Sequence, residues 1–334
     1  SVHAGRDLQL RLIHLLHDAL SLARLRHALP AGAGAGTFRK HRPRLARFVV
    51  SALLIALGGC DEADPPLPPL PIDAARISVS GISSGAYMAH QVHLVFSRSI
   101  HGAALIAGGP YGCARGDLQT ALADCMNPTT SSPDVPMLAA EVRARAAAGR
   151  IDALAGLEGD RVLVVHGRAD GTVAAAVSAT TTDLYRRLAD TVEVTQDDDR
   201  DFAHVFPMAM PGECVADDAH MAACGIDLAG EILRHLADAQ AEAATTARGD
   251  LLAFDQRAYA EDDHDPRLSD RGYLYVPPQC REQACGLHVA FHGCEMQADR
   301  IGTRFVAEAG YNRWADSVGV VRILHQRMSL PRHV

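Results

Sequence analysis

Ser83 stands at the centre of Gly81-Ile82-Ser83-Ser84-Gly85, a G-x-S-x-G segment. The strand-like run Arg76-Ile77-Ser78-Val79-Ser80 precedes it, and the helix-like run from Ala86 to Val92 follows. Strand, sharp turn, helix is the context a nucleophile elbow requires. A serine hydroxyl attacks a carbonyl only if it is held out at the tip of a tight turn, where the crowded backbone leaves no room for neighbouring side chains. The following helix aims its N-terminal N–H groups at the oxyanion that forms in the attack. The chemistry within reach of these residues is acyl transfer through a serine.

Such a serine needs a base, and the base needs an orienting acid. On α/β-hydrolase scaffolds they follow the serine in the order acid, histidine. Asp170 lies in Gly167-Arg168-Ala169-Asp170-Gly171-Thr172-Val173, just past the predicted strand from Arg161 to His166, where active-site loops gather. Its rivals are Asp197, Asp198, Asp199 and Asp201, a dense acidic run that reads as a solvated loop. His204, in Asp201-Phe202-Ala203-His204-Val205, comes after Asp170 and after the strand-like run Thr191 to Thr195, where the base belongs. His166 reads instead as a satisfied core histidine at a strand end. Of the two backbone donors an oxyanion hole needs, one is the N–H of Ser84. The candidate for the other is the H-G type loop in His288-Val289-Ala290-Phe291-His292-Gly293-Cys294, at the end of a predicted buried strand. That loop normally precedes the serine in sequence; here it follows it, an order expected of a circularly permuted domain.

Positioning these groups is the task of an α/β fold: a mainly parallel sheet with helices on both faces, predicted over residues 76–334. Candidate strands are Ile77–Ser80, Gly102–Ile106, Arg161–His166, Tyr273–Val276, Leu287–Phe291 and Val320–Leu324. Candidate helices are Tyr87–Phe96, Pro136–Ala148, Ala175–Leu188, Ile226–Ala241 and Arg304–Ser317. Leu228, Ile232, Leu233 and Leu236 share one face of the fourth, as sheet-packing core residues would.

With 48% hydrophobic and 22% charged residues, a chain of 334 residues can bury a sizeable core. Residues 1–59 carry nine Arg/Lys against two Asp, or +7, so the rest carries −15 of the net −8. An acidic body argues against nucleic acid as a partner. Residues 39–60 read as a lipoprotein-type signal: a basic stretch from Arg39 to Arg44, an apolar stretch from Phe48 to Leu57, then Gly58-Gly59-Cys60. Cys60 would become the lipidated first residue, and an ordinary cleaved signal peptide is the alternative. Residues 1–38 are expected to be a non-native upstream extension, and the proline-rich stretch 61–75 a linker holding the body off a membrane anchor.

Seven further cysteines follow. Cys113, Cys125, Cys214, Cys224, Cys280 and Cys285 fall into three sequence-neighbouring pairs around polar segments, which read as loop staples in an oxidising compartment, so the protein is expected to be exported. Zinc is the rival reading, but no ligand spacing of the usual kind is present. No metal or organic cofactor is expected. Cys294 is left over.

Longer stretches resemble a known family. Val79 to Ala89, Ala107-Gly108-Gly109-Pro110-Tyr111-Gly112-Cys113-Ala114, Gly272 to Pro277, Leu287 to Cys294 and Tyr311-Asn312-Arg313-Trp314-Ala315-Asp316 are similar, in consistent order, to the secreted single-domain poly(3-hydroxybutyrate) depolymerases with a circularly permuted α/β-hydrolase fold. The resemblance implies Ser83 as nucleophile, Asp170 as orienter, His204 as base, and oxyanion donors at Ser84 and Cys294. It also implies disulfides Cys113–Cys125, Cys214–Cys224 and Cys280–Cys285. In that family a Trp-rich segment, a cysteine pairing with the one matching Cys294, and a closing helix follow the strand matching Val320–Leu324. The tail here, Arg327 to Val334, matches none of that and reads as a truncation or frameshift. Trp314, in an amphipathic helix, is expected in the core.

The leading functional expectation is a serine esterase acting on poly(3-hydroxybutyrate) or its oligomers through an acyl-enzyme. The alternatives are a general short-chain or aryl carboxylesterase, and a truncated, inactive lipid-anchored surface protein.

Overall fold

The computed structural model describes residues 64–128, 133–259 and 269–325. The upstream extension, the signal with Cys60, the first three linker residues and the tail beyond 325 lie outside these.

Eight strands form one sheet in the order β4-β3-β2-β1-β9-β10-β8-β7. In chain order they are β1 (Ile72–Ile82), β2 (Gly102–Ile106), β3 (Arg161–Gly167), β4 (Glu193–Arg200), β7 (Asp250–Asp255), β8 (Arg271–Val276), β9 (Cys285–Phe291) and β10 (Val320–His325). The six from β4 to β10 run parallel, and β8 runs antiparallel to both neighbours. Strands β5 (Phe206–Met208) and β6 (Met221–Ala223) make a separate parallel pair.

Two cores sandwich the sheet, because alternate residues of each strand point to opposite faces. Ile77, Val79, Leu105, Val164, Val289 and Val321 meet one core, together with helices α1 (Ser84–Val95), α3 (Val135–Ala147) and α4 (Ala175–Leu188). Ile82, Ile106, Val165, Ala290 and Leu324 meet the other, with α5 (Leu228–Ala237), α6 (Ala298–Ile301), α7 (Arg304–Glu308) and α8 (Tyr311–Val318), while α2 (Leu118–Ala123) buries no residue. Coverage on both faces explains why the central strands are almost wholly apolar. Leu228, Ile232 and Leu233 are buried, so the apolar stripe of α5 packs as expected. Trp314 is buried too, its indole N–H donating to Asp227 at 2.8 Å.

Three differences from the sequence reading have local causes. Asp197, Asp198 and Asp199 belong to β4, an edge strand, rather than to a loop; open on its far side, β4 keeps its acids in water. The expected helix Arg304–Ser317 is two helices, broken at Gly310, whose φ of 96° no right-handed helix accommodates. The described part of the proline-rich stretch lies against the body. Leu70 is buried, the Leu67 N–H donates to Tyr259 Oη at 2.7 Å, the Pro71 carbonyl accepts from Cys285, and β1 begins at Ile72.

Candidate active site

Because β1, β3, β4 and β9 are parallel, the residues that follow them emerge at one edge of the sheet. Ser83 follows β1, Asp170 follows β3, His204 follows β4, and His292-Gly293-Cys294 follows β9. Strand β1 is also where the chain order reverses: β2, β3 and β4 are laid to one side, β9 and β10 to the other. Open α/β sheets bind their ligands at such a switch point.

The elbow geometry is present. Ser83 has φ 54° and ψ −123°, a strained conformation for a residue with a side chain, immediately before α1. Its N–H donates to the Ile106 carbonyl at 2.8 Å, and its carbonyl accepts from Ala86 at 2.8 Å. A Cβ on Gly81 would lie 2.2 Å from the Gly85 carbonyl oxygen, and one on Gly85 would lie 2.3 Å from that of Phe291. The turn and the end of β9 are thus pressed together backbone to backbone. On the other side, a Cβ on Gly293 would come 3.4 Å from Ser83 Cβ. The His292-Gly293-Cys294 turn therefore sits beside the serine despite its distance in sequence. Ser84 is exposed as the first residue of α1, and Cys294 is a free, exposed cysteine.

Asp170 and His204 are joined at 2.7 Å between Oδ2 and Nδ1, with the Asp170 side chain fully buried and His204 about one-sixth exposed at 17%. The other carboxyl oxygen accepts the N–H groups of Thr172 at 2.8 Å and Val173 at 3.0 Å. Burial alone would push this carboxyl up. The hydrogen bond and charge of His204, with the two backbone donors, outweigh it and hold Asp170 below the ordinary carboxylate value. An ionised Asp170 can only accept, so Nδ1 carries the proton and Nε2 presents its lone pair. Ser83 and His204 are not hydrogen-bonded to each other here; free enzymes commonly tighten that contact only around substrate.

His166 is buried and bonded to Ser178 Oγ at 2.9 Å, and that hydroxyl donates to the Gly108 carbonyl at 2.7 Å. Desolvation holds its imidazole below the ordinary histidine value, as suits a core histidine. All three disulfides, Cys113–Cys125, Cys214–Cys224 and Cys280–Cys285, are formed. Two staple loops on the active edge: Tyr87 of α1 donates its hydroxyl to the Cys125 carbonyl, and Cys214–Cys224 ties the loop between the parallel strands β5 and β6 to the residue after β6. Three disulfides place the protein in an oxidising, exported setting. The β5–β6 pair escaped the sequence reading because three-residue strands carry too few side chains to show a period.

Fold and strand-end geometry together define an α/β-hydrolase-like protein whose serine-bearing strand β1 is the first of its sheet. No protein-family model matches the chain. It is 30% identical over 285 residues to a polyhydroxybutyrate depolymerase of Talaromyces funiculosus, covering 82% of this chain and 81% of that one. It is 31% identical over 268 residues to a poly(3-hydroxybutyrate) depolymerase of Delftia acidovorans, covering 78% of this chain but only 53% of that one, so it spans about half the Delftia protein. Among solved structures, the PHB depolymerase from Penicillium funiculosum superposes with a TM-score of 0.69 at 28% identity, over 79% of this chain and 83% of that one. A serine-to-alanine PHB depolymerase complexed with an R3HB trimer gives 0.69 at 29% identity, with the same coverage. The chain belongs to the poly(3-hydroxybutyrate) depolymerase family.

Proposed function

We propose that this protein is a serine esterase that cleaves the ester bonds of poly(3-hydroxybutyrate) or its oligomers, with Ser83 as nucleophile, His204 as base and Asp170 as orienter. The observation that carries the reading is the Asp170–His204 bond at the same sheet edge as a strained Ser83. Nε2 of His204 takes the Ser83 proton as Oγ attacks the ester carbonyl. The oxyanion is held by the N–H groups of Ser84 and Cys294, each donor contributing about 10²–10³ in rate. The imidazolium, steadied by Asp170, then gives its proton to the departing hydroxyl end of the polymer. An acyl-Ser83 remains, and water activated by the same histidine releases it. The trimer bound by the structural neighbour supports a hydroxyalkanoate chain as substrate. An uncharged polyester meets no electrostatic penalty at an acidic surface.

Residues 61–334 and their Ser83→Ala variant, assayed on a short-chain chromogenic ester and on polymer granules, test this. Hydrolysis of both substrates by the parent and of neither by the variant is expected. Turnover by the variant would remove the assignment, and parent activity on the soluble ester alone would make the protein a general esterase. The lipoprotein-type sequence pattern of residues 39–60 is the support for a lipid anchor at Cys60 in the cell envelope; the mass of the mature N-terminal residue, with or without acyl chains, tests that.

A further inference from the structure

His288 lies wholly buried in β9, four residues before the oxyanion turn begins, and no step of the hydrolysis uses it. Both of its ring nitrogens are engaged by the neighbouring strand. Nδ1 is 2.9 Å from Ser78 Oγ and Nε2 is 2.8 Å from Ser80 Oγ. Ser78 and Ser80 are two apart on β1, hence on one face of it, and Ser78 is the registered partner of His288. An imidazole, with two nitrogens at fixed separation, is the side chain that can span such a pair. Ser80 Oγ also lies 3.0 Å from Tyr311 Oη of α8, whose ring stacks on His288 at 5.6 Å between centroids and carries the Arg322 guanidinium at 4.7 Å.

The proton positions follow from the partners. Burial, with Arg322 nearby, lowers the imidazole pKa from 6.5 to about 3, so the ring is neutral and has one donor and one acceptor. Among the described residues, Ser80 is the one hydrogen-bond partner of the Tyr311 hydroxyl. If Tyr311 donates to Ser80, Ser80 donates to Nε2, and Nδ1–H donates to Ser78, the buried hydroxyl protons of Tyr311 and Ser80 both have acceptors. The reverse order would leave the Tyr311 proton without one, at a cost of about 1–3 kcal/mol. Ser78 is then free to turn its own proton toward the cavity it lines at the opposite edge of the sheet.

We propose that His288 is a positioning residue for ester hydrolysis: it staples β1 to β9 so that Ser83 and the Cys294 N–H, carried on the ends of these two strands, keep the separation the oxyanion needs. The inference rests on the roles proposed for Ser83 and Cys294. The bonds of a parallel ladder are slanted and evenly spaced, and the pairing is slightly less stable per residue than an antiparallel one. A small displacement between nucleophile and oxyanion donor is costly, since about 1 Å of misplacement loses roughly a hundredfold in rate. The staple acts on the α8 face of the sheet, a few residues below the reacting atoms.

The test compares His288→Asn and His288→Gln with the parent on a soluble ester, with rates normalised to sites titrated by a fluorophosphonate that labels Ser83. The asparagine amide stands where Nδ1 was and abandons Ser80. The glutamine amide stands where Nε2 was and keeps Ser80 joined. With similar melting temperatures for the two, His288→Asn is expected to lose about tenfold in kcat with KM changed by no more than about twofold, and His288→Gln to stay within about threefold of the parent. If neither folds, Ser80→Ala cuts the same staple and should show the asparagine loss. Parental kcat per titrated site in all variants, or losses that only follow melting temperature, would overturn the role. A parent protein that neither takes the label nor hydrolyses the ester would instead fell the esterase reading, and this role with it.

Discussion

Asp170 divides its work between its two oxygens. One is spent on the backbone of its own loop and fixes the carboxylate; the other is left for His204. Asp170→Asn keeps the size and can keep the loop bonds, but it turns an amide N–H toward Nδ1. The imidazole must then accept at Nδ1 and carry its proton on Nε2, where it cannot receive one from Ser83. We expect kcat to fall by roughly 10³–10⁴-fold with little change in KM, read by steady-state assay of the variant on a soluble ester. At this scale much was legible in the sequence. The elbow announces itself through two glycines, and the proposed acid and base follow in the order of α/β-hydrolase scaffolds, each just beyond a strand. His288, Ser78 and Ser80 were not legible as a unit. Polar residues within a buried strand carry no motif, and only the pairing of β1 with β9 shows that they face one another.

Among the elements, those buried on both sides were read most closely. Strand β2 and helix α4 have the predicted limits, because an unbroken apolar run or a helical stripe ended by a turn leaves little choice. Strands β4 and β7 border the sheet; the strand-like run Thr191–Thr195 covers only the start of β4, and β7 carries no such run. The outer half of β4 is acidic, and β7 offers Asp250-Leu-Leu-Ala-Phe-Asp255, too short to show a period. What makes them strands is a neighbour: β3 lends β4 its ladder, and β8 does the same for β7. The split of α7 from α8 has the same character. Its glycine was visible, but an isolated glycine in a helical pattern is tolerated as often as not, and only packing selects the break. The proline-rich stretch read as a spacer from composition alone. In the fold its carbonyls and N–H groups meet β9 and Tyr259, a long-range pairing that no local pattern encodes.

For the molecule as a whole, two buried histidines add to the loss of stability in acid. His90, stacked on Tyr185 at 4.6 Å, and His288 are both held neutral, each lowered from 6.5 to about 3, chiefly by burial. Their folded pKa values lie below the unfolded ones. The stability they allow is therefore complete above pH 6.5 and is lost as pH falls toward 3, where the unfolded chain binds protons that the native state refuses. Each group steepens the loss by about 1.4 kcal/mol per pH unit inside that window. Denaturant midpoints between pH 7 and 4 should fall steeply in the parent and less steeply in His90→Phe, which keeps a ring against Tyr185; equal slopes would refute the assignment. The sheet order has a different consequence, in the timing of synthesis. Strand β1 needs β9 as a neighbour, and β9 ends at Phe291, long after Ser83, Asp170 and His204 have been made. A nascent chain, or one still being threaded through a membrane, carries a nucleophile, an acid and a base but no oxyanion turn. Under the proposed roles, ester cleavage waits on β9, and no fragment ending before it carries the complete site.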